Sequence, residues 1–317
     1  MLATERRNAI VAATRREIYR RWGLTLFPHQ MEWQLASEGW TLLPRRPDAG
    51  ERFEMVLVPD IWAPDDAHKA HKEPRAVIPR EGGVARVLFD LAAYKSGKSF
   101  SAGAWMSGFA FLPGARVEII GMEYSSAEPE FTYLEDFLLS ERGMNVKPEL
   151  HHHDADHGHL QLIIPNGCTY IVRSWSRKDA LKGKRVTAYV YAEAYQLPGI
   201  QCFTTVSQNL RQDVGWACFP TTPDSAWVGY GHDRGHGQDA EWHCTCSVDA
   251  RQNPFTYSVK DRIRDDPRQG GIMTKEKYAI SWCGQLGVYV GACYTFSRGQ
   301  QQFTPLSHPQ LWKEAVA

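Results

Sequence analysis

The apolar residues of this chain fall into short runs of strand length that alternate with longer, more polar stretches. The run VARVLFDL predicts a buried strand, and the segment from Gly97 onward predicts a helix. Further strand-like runs are ARVEIIGME, LQLIIPNGCTYIVRSW, RVTAYVYAEAYQLPG and GWACFPTTPDSAW. The second of these predicts a hairpin, because an Asn-Gly turn interrupts it. Strands separated by helical segments predict an α/β fold with a mainly parallel central sheet and helices on both faces.

The N-terminal part of the chain carries weaker patterns. The stretch ATERRNAIVAATRREIYRRWG predicts a helix that Thr4 caps and that ends before Gly23. Residues from Arg45 to Arg80 are rich in proline, aspartate and lysine and contain one strand-like stretch, FEMVLVP, which indicates an irregular insertion or lid. Further along, EPEFTYLEDFLLSE predicts a helix with Pro129 in its first turn.

Composition and charge narrow the class of protein. The chain has 317 residues, with 36 basic and 36 acidic side chains, so no overall field attracts it to nucleic acid and any DNA contact must come from a local patch. Its 7 cysteines are scattered and odd in number, and no signal peptide is evident, which fits a reducing cytoplasm with free thiols. No apolar run approaches the ~20 residues that span a bilayer, so we expect no membrane association.

The first buried strand ends at a small, polar turn, Ala92-Ala93-Tyr94-Lys95-Ser96-Gly97-Lys98-Ser99. The order strand, loop, helix is the context in which such a turn binds phosphate, although its first position is alanine instead of glycine. The backbone N–H groups of this loop are expected to cradle the β-phosphate. Lys98 is expected to neutralise the β- and γ-phosphate oxygens, and the Ser99 hydroxyl to ligate Mg²⁺.

Further polar residues follow the ends of other predicted strands. Glu193 ends one run, and Thr221 and Thr222 end another, so both sets are expected to lie near Lys98 at the carboxyl ends of the sheet. A carboxylate at the place of Glu193 can polarise the water that attacks a phosphate. Upstream of the loop, the Gln30 amide has the donor and acceptor groups that read an adenine edge.

An ordered series of motifs resembles the ATPase domain of the large terminase subunit of tailed bacteriophages, which packages viral DNA. The series comprises FPHQ, the loop with its Gly-Lys-Ser (Walker A), LIIPNGCTYIVRSWSRKDALKG, the acidic strand end VYAEAYQLP (Walker B), FPTTPDSAW, SVDARQNPF and YAISWCGQLGVYVGACYTF. The resemblance covers roughly Phe27 to Phe296. It departs from the family at Ala192, where the usual residue is an aspartate that holds the Mg²⁺ water shell. Either a nearby acid such as Asp90 compensates or hydrolysis is slow.

The resemblance implies an α/β P-loop NTPase fold of the ASCE type and assigns roles to single residues. Glu193 would be the catalytic carboxylate, and Thr221 and Thr222 would sense the γ-phosphate and couple hydrolysis to domain motion. A basic residue before the acidic strand would complete a neighbouring subunit's site; Arg185 is preferred, next to Lys184, with Arg177 and Lys178 as rivals. Nucleotide would contact Gln30, Ala92, Lys95, Ser96, Gly97, Lys98 and Ser99, with Ser99 on the metal.

The resemblance also implies an organisation and partners. We expect N-terminal helices and an insertion or lid over residues 1–80, an ATPase core over 81–300 and a tail over 301–317, without the nuclease domain that large terminases normally carry and without nuclease activity. The expected cofactors are ATP and Mg²⁺. The expected partners are double-stranded DNA, a portal protein, a small terminase subunit and further copies in a ring, although an isolated chain is expected to be a monomer. The expected location is the host cell cytoplasm.

Three other functions stay open at this stage. The loss of the aspartate at Ala192 fits a catalytically degenerate nucleotide-binding assembly subunit. The loop together with Gln30 also fits a helicase-like, DNA-dependent ATPase. The run HHHDADHGH, His151 to His159, has five histidines and two aspartates that could bind Zn²⁺ or Ni²⁺, which fits a metal-binding structural protein. We expect this run to lie in a flexible polar linker before the hairpin.

Overall fold

The centre of the fold is a mixed sheet of eight strands. In the computed structural model, residues 2–59, 70–181, 185–210, 215–237, 239–248 and 275–284 are described. The helices are α1 (Leu2–Trp22), α2 (Pro28–Ala36), α3 (Lys98–Ser107), α4 (Tyr124–Leu139), α5 (Gln201–Ser207), α6 (Ala226–Gly235) and α7 (Lys275–Cys283). The strands are β1 (Trp40–Leu42), β2 (Phe53–Pro59), β3 (Ala70–Pro79), β4 (Val87–Ala92), β5 (Arg116–Gly121), β6 (Leu150–Asp154), β7 (His159–Ile163), β8 (Thr169–Ser174), β9 (Ala188–Tyr191), β10 (Trp216–Thr221) and β11 (Trp242–Val248).

The strand order of the large sheet is β11-β4-β10-β9-β5-β8-β7-β6. The first six strands of this order run parallel, and β7 and β6 are antiparallel to their neighbours. One additional strand, β10, lies between β4, which leads into the loop, and β9, which leads into Glu193. The predicted α/β fold of the P-loop NTPase type is confirmed.

Both faces of the parallel strands are buried. Alternate residues of each strand point to opposite faces, so they join different apolar clusters. On one face, Leu88 and Val190 join the cluster that packs against α1, α3 and α4. On the other face, Phe89 and Tyr191 join a second cluster, in which Phe89 and Phe219 stack at 4.4 Å between ring centroids. The continuous apolar runs in the sequence follow from this two-sided burial. The end of each run marks where its strand gives way to a loop.

The prediction of an irregular segment between Arg45 and Arg80 is wrong for the part that the structure describes. The strands β1, β3 and β2 form a separate antiparallel sheet in that order, with Phe53 opposite Ala76. The sequence hides β3 because its residues include two prolines and three charged side chains, Lys72, Glu73 and Arg75. Its strand character depends on pairing with β2, which local patterning does not report.

Two further local predictions are corrected. His151 to His153 do not form a flexible linker, because they lie in β6, which pairs with β7 over five residue pairs. Pro129 is not in the first turn of its helix, since α4 begins at Tyr124. The earlier start follows from Ser126, whose hydroxyl accepts a hydrogen bond of 3.2 Å from the backbone N–H of Glu123 and so caps the helix.

Among the helices that the structure describes, none combines the length and the apolar character needed to cross a membrane.

Candidate nucleotide-binding site

The turn between β4 and α3 adopts a conformation that depends on glycine. Gly97, the residue before α3, has a φ of 87°, and Lys95 has a φ of 61°. The left-handed backbone favours glycine here, and a Cβ atom at Gly97 would lie 2.5 Å from Gln30 Nε2, so the Gln30 amide would have to move. The loop therefore wraps tightly around the amino end of α3, where backbone N–H groups attract anions.

Two residues at the start of α2 contact the backbone of the loop. His29 Nε2 lies 3.3 Å from the Ser96 carbonyl oxygen, and Gln30 Nε2 donates to the Gly97 carbonyl oxygen at 3.1 Å. The Gln30 Oε1 atom accepts from the backbone N–H of Phe27 at 3.1 Å. Gln30 Nε2 also lies 3.5 Å from the Ser96 carbonyl oxygen, so both groups of the Gln30 amide already bond to the backbone, and binding a base would exchange some of these contacts.

His29 was missed by the sequence reasoning, although the sequence shows it beside Gln30 at the start of an amphipathic helix. Burial, with a smaller contribution from the positive charge of Lys98, lowers the pKa of His29 to about 4, and the hydrogen bond with the Ser96 carbonyl opposes this shift. The ring is therefore neutral at pH 7, and its Nε2–H donates to the loop carbonyl. Because the His29 ring is neutral, no second buried cation lies beside Lys98, the lysine that is expected to bind phosphate.

Lys98 is buried in the concave side of the loop. Its ammonium donates to the carbonyl oxygens of Ala92 at 3.0 Å and Ala93 at 2.9 Å, and to Thr222 Oγ1 at 3.4 Å. Burial lowers the pKa of Lys98, and the surrounding carboxylates oppose that shift. The predicted convergence of Lys98 with the end of β10 is therefore present in the structure.

Thr221 and Thr222 are both fully buried at the end of β10. Thr221 Oγ1 accepts from the backbone N–H of Tyr195 at 2.8 Å, which links β10 to the turn after Glu193. Glu193 has left-handed backbone, with φ 43° and ψ 52°, an uncommon conformation for a residue other than glycine that is often kept at functional sites. Its Oε2 atom is buried and has no hydrogen-bond partner among the described residues.

Two buried carboxyl groups lie close to Lys98: Asp90, which the sequence offered as a compensating acid for Ala192, and Glu130, which it did not single out. Glu130 of α4 is 1 % exposed. Burial raises the pKa of Glu130 to about 7, and the nearby Ser99 side chain opposes the rise. Asp90 of β4 is fully buried, and burial raises its pKa to about 7 against the attraction of Lys98. One oxygen of Glu130 and both of Asp90 have no partner in the part of the chain that is described.

These groups fit a magnesium ion that the fold class implies. Mg²⁺ prefers oxygen ligands and keeps several of its waters, so it needs few direct protein ligands and several acceptors around its water shell. The Ser99 hydroxyl and the unpartnered buried oxygens of Glu130 and Glu193 supply such atoms near the loop. We therefore assign Ser99 as the residue that would ligate the ion directly, with the two carboxylates around it.

Two clefts flank the loop. The first has a volume of about 390 Å³ and contains Lys98, Ser99 and Glu193, with Trp282 of α7 and Tyr133 of α4 among its other walls. The second has a volume of about 620 Å³ and lies beside Gln30, with aromatic walls from Trp22, Phe27 and Phe100. Lys95, Gly97, Phe100 and Tyr133 line both clefts, so the two lie next to each other at the loop.

The basic residues proposed to act on a neighbouring subunit lie at different edges of the sheet. Arg185 is exposed and precedes β9, so it lies at the amino ends of the parallel strands, opposite the loop. Arg177 is exposed and follows β8, so it lies at the carboxyl ends, the same edge as Glu193. Lys184 and the side chain of Lys178 lie outside the described residues.

A second cluster of chemically active side chains lies away from the loop, between β6 and α4. His151 Nε2 lies 2.5 Å from Glu135 Oε1, and His153 Nδ1 lies 2.6 Å from Glu135 Oε2. One potential ligand atom from each residue falls within 4.8 Å of the others. The sequence singled out the histidines, whereas Glu135 was invisible to it because its contact with them is tertiary.

No family model matches this chain, and no curated protein matches it. The chain is similar in structure to the large terminase ATPase domain of Thermus phage P74-26, with 16% identity, a TM-score of 0.47, and 63% of this chain and 88% of that chain covered. It is also similar to the large terminase of another thermophilic bacteriophage, solved in complex with ADP, with 12% identity, a TM-score of 0.48, and 64% and 48% covered. The bacteriophage HK97 large terminase gives 13% identity, a TM-score of 0.40, and 62% and 42% covered. All three TM-scores lie below 0.5, so the fold assignment rests on the strand order and the loop described above.

Proposed function

We propose that this chain binds and hydrolyses ATP at the loop after β4. The observation that carries the proposal is the convergence of Lys98, Ser99 and Glu193 in one cleft of about 390 Å³ at the carboxyl ends of parallel strands. Ligands of open α/β sheets bind at this edge. A buried cation, a hydroxyl and a free carboxylate are the three groups that phosphate, metal and attacking water require.

Each residue has a role that follows from its position. Lys98 would bind the β- and γ-phosphate oxygens in exchange for its present contacts with the loop carbonyls. Mg²⁺, when bound, would neutralise charge on those phosphates, and Ser99 would hold it. Glu193, whose Oε2 atom has no partner in the described part of the chain, would orient the attacking water. Thr222, bonded to Lys98, would respond when the γ-phosphate is lost.

The second cleft supports a place for the base and ribose. It adjoins the phosphate cleft at Lys95 and Gly97, and its walls include Phe100 and Gln30, whose amide would exchange backbone contacts for contacts with the base. Aromatic and apolar walls with a few directed polar groups are typical of small-molecule sites. We propose that adenine lies in this cleft and that Gln30 reads its edge.

We further propose that hydrolysis drives movement of double-stranded DNA in a viral packaging terminase. This step rests on the ordered series of sequence motifs from FPHQ to YAISWCGQLGVYVGACYTF. It carries with it the expectations of a ring of copies, a portal protein and a small terminase subunit, and of action in the host cytoplasm. Arg185 or Arg177 would then complete the site of the next subunit.

Steady-state ATP hydrolysis with and without double-stranded DNA tests this function. We expect Mg²⁺-dependent hydrolysis that DNA stimulates, without separation of the strands of a forked duplex. Strand separation would instead support a helicase-like ATPase. Nucleotide binding without hydrolysis in any condition would support the degenerate assembly subunit, and no nucleotide binding at all would contradict the proposal.

A further inference from the structure

The proposed phosphate site lacks a carboxylate at Ala192. The residue before Glu193 would be the aspartate that holds Ser99 and the Mg²⁺ water shell in relatives of the proposed class. Here Ala192 is fully buried in the apolar cluster that also contains Val190. An alanine offers no oxygen, so the hydroxyl of Ser99 must find its acceptor elsewhere.

A candidate acceptor lies on α4. Ser99 shares its cleft with Pro129 and Tyr133 of α4, which flank Glu130 in the sequence, and the Ser99 side chain acts against the rise that burial causes in the pKa of Glu130. The helices can approach this closely because Gly103 of α3 faces α4: a Cβ there would lie 2.6 Å from Tyr133 Cβ and 3.1 Å from the backbone nitrogen of Leu134. The close packing of α3 on α4 therefore depends on Gly103, which has no side chain. This packing brings the Glu130 carboxyl close to the loop.

One oxygen of Glu130 is left over. Glu130 is 1 % exposed, and its Oε2 atom is buried without a hydrogen-bond partner among the described residues. A buried polar atom without a partner is costly, so it calls for a ligand or a water. We propose that Glu130 takes the place of the missing acid at Ala192, holding Ser99 and accepting hydrogen bonds from the water shell of nucleotide-bound Mg²⁺. This inference rests on the proposed function.

Asp90 is the other buried acid near the loop, and the geometry favours Glu130 over it. Asp90 lies within β4, opposite Pro220 of β10 and Thr245 of β11, and neither of its oxygens bonds to Ser99. Its charge faces Lys98, which gives it a place in balancing the buried ammonium. Glu130 instead combines proximity to the Ser99 side chain with an oxygen that has no partner among the described residues.

The test measures metal in the nucleotide complex and does not depend on turnover. Mn²⁺ replaces Mg²⁺, and its affinity for the complex of the chain with a non-hydrolysable ATP analogue is read by electron paramagnetic resonance. The variant is Glu130→Gln, which keeps size and an acceptor for Ser99 but removes the charge. The control is Asp136→Asn, which removes a charge from the exposed face of the same helix.

We expect Glu130→Gln to weaken Mn²⁺ binding about 10- to 100-fold, the loss usual for a group that orients a metal site, with Asp136→Asn unchanged. Nucleotide binding without metal should change little. The double variant Ala192→Asp/Glu130→Gln should recover part of the loss, which separates a metal role from a general packing role. Unchanged Mn²⁺ affinity in a folded Glu130→Gln, or no recovery in the double variant, would overturn the inference while leaving the proposed function intact. A wild-type chain that binds no nucleotide would contradict both.

A separate observation points to a transition-metal site between β6 and α4. His151 and His153 are two residues apart on β6, so they share a face of the strand, and both reach Glu135 of α4. The ring of His153 has a second carboxylate on its other side, since Nε2 lies 3.2 Å from Glu128 Oε1. A ligand histidine whose second nitrogen donates to a carboxylate is the usual arrangement in protein metal sites.

The distances leave room for an ion after a small adjustment. Ligand atoms about 2.1 Å from a tetrahedral ion lie roughly 3.4 Å apart, so the His–Glu contacts of 2.5 and 2.6 Å would open by about 1 Å. Imidazole nitrogens with a carboxylate favour Zn²⁺ and neighbouring divalent ions over Mg²⁺. We propose that His151, His153 and Glu135 bind one such ion, which joins the edge strand of the sheet to α4.

Calorimetric titration with ZnCl₂ after removal of metal by a chelator tests this site. We expect one Zn²⁺ per chain, a rise in melting temperature on binding, and at least a tenfold loss of affinity in His153→Ala. His157→Ala is the matched control, because His157 belongs to the same hairpin but pairs with Asp154. Equal losses in both variants, or equal binding by wild type and a His151→Ala/His153→Ala double variant, would overturn the site.

Discussion

The Lys98 ammonium donates a hydrogen bond of 3.4 Å to Thr222 Oγ1, which joins the loop after β4 to the end of the neighbouring strand β10. Both side chains are buried, so the contact is shielded from water. The same strand end holds the turn after Glu193, because Thr221 Oγ1 accepts from Tyr195 N–H at 2.8 Å. A change in what Lys98 binds can therefore reach the carboxylate proposed to act on water.

Thr222→Val removes the hydroxyl but keeps the shape of the side chain. We expect ATP turnover to fall at least about tenfold, because Glu193 and Lys98 are no longer joined through β10, while nucleotide affinity changes little. Thr222→Ser, which keeps the hydroxyl, should retain turnover. The comparison of steady-state kinetics with equilibrium nucleotide binding checks this expectation, and equal turnover in the two variants would refute it.

Gly97→Ala should distort the loop for two separable reasons. The left-handed backbone costs about 1–2 kcal/mol with any side chain, and the new Cβ would lie 2.5 Å from Gln30 Nε2. Gly50→Ala is the control, because Gly50 has a φ of 89° with open space around it. Denaturant unfolding should show a larger loss for Gly97→Ala than for Gly50→Ala.

Gln30→Ala removes the atom with which that Cβ collides. In a double-mutant cycle, Gly97→Ala/Gln30→Ala should therefore cost less than the sum of the two single changes. Additive losses would mean that the Gln30 amide does not brace Gly97. In the same set of variants, Gln30→Ala should also reduce the preference for ATP over GTP in equilibrium binding, if Gln30 reads adenine.

His29 gives the fold a defined pH dependence. Its pKa falls from 6.5 in the unfolded chain to about 4 in the fold, so between these values the unfolded state binds the extra proton. Stability from this group is present above pH 6.5 and is lost as the pH falls toward 4, by up to about 3 kcal/mol. Lys98 faces the ring from the loop, and Glu32 and Arg75 line the cleft on its other side.

His29→Gln keeps a donor for the Ser96 carbonyl but does not titrate. The difference in unfolding free energy between wild type and this variant should shrink or reverse as the pH falls from 7 to 4. Using the difference cancels His243, whose pKa burial also lowers to about 4, and the acids Asp90 and Glu130, whose raised pKa values give the opposite slope. A difference that stays constant with pH would show that folding does not lower the pKa of His29.

Subunit mixing tests the arginine that acts between copies. Arg185→Ala and Glu193→Ala are each expected to be inactive, yet mixed rings contain some sites with both residues intact and should recover activity. An arginine supplied by a neighbour can raise the rate by ~10³-fold or more in other phosphate-loop enzymes. Arg177→Ala is the parallel series, since Arg177 lies at the loop edge of the sheet. No recovery with Arg185→Ala, but recovery with Arg177→Ala, would move the role to Arg177.

The parts of this structure that follow from local pattern were predictable. Hydrophobic runs locate strands and their ends well. They predicted β4, and they placed Gly97 after β4 and Glu193 after β9. Strand β3 was not predictable, because its prolines and charges suit a strand only beside β2. Glu130 was out of reach as well, since its proximity to Ser99 depends on how closely α3 and α4 pack at Gly103.

The residues of the site also divide into those that local pattern predicted and those that depend on tertiary packing. Lys98, Ser99, Glu193 and Thr222 were chosen by position relative to strands, and the structure brings them to one edge of the sheet. His29 acts on the loop through a ring that burial keeps neutral, and burial is a property of the folded chain. The charge state of His29 and the acid on α4 therefore had to come from tertiary packing.

The most direct measurement is the binding and hydrolysis of Mg²⁺-ATP by wild type, Lys98→Ala and Lys147→Ala. Lys98 is buried against the loop, whereas Lys147 is an exposed lysine away from it and serves as the control. We predict that wild type and Lys147→Ala bind and hydrolyse ATP, with DNA raising the rate. Lys98→Ala should stay folded but lose hydrolysis and most of its affinity. Unchanged hydrolysis by a folded Lys98→Ala would contradict the assignment of the loop as a phosphate site.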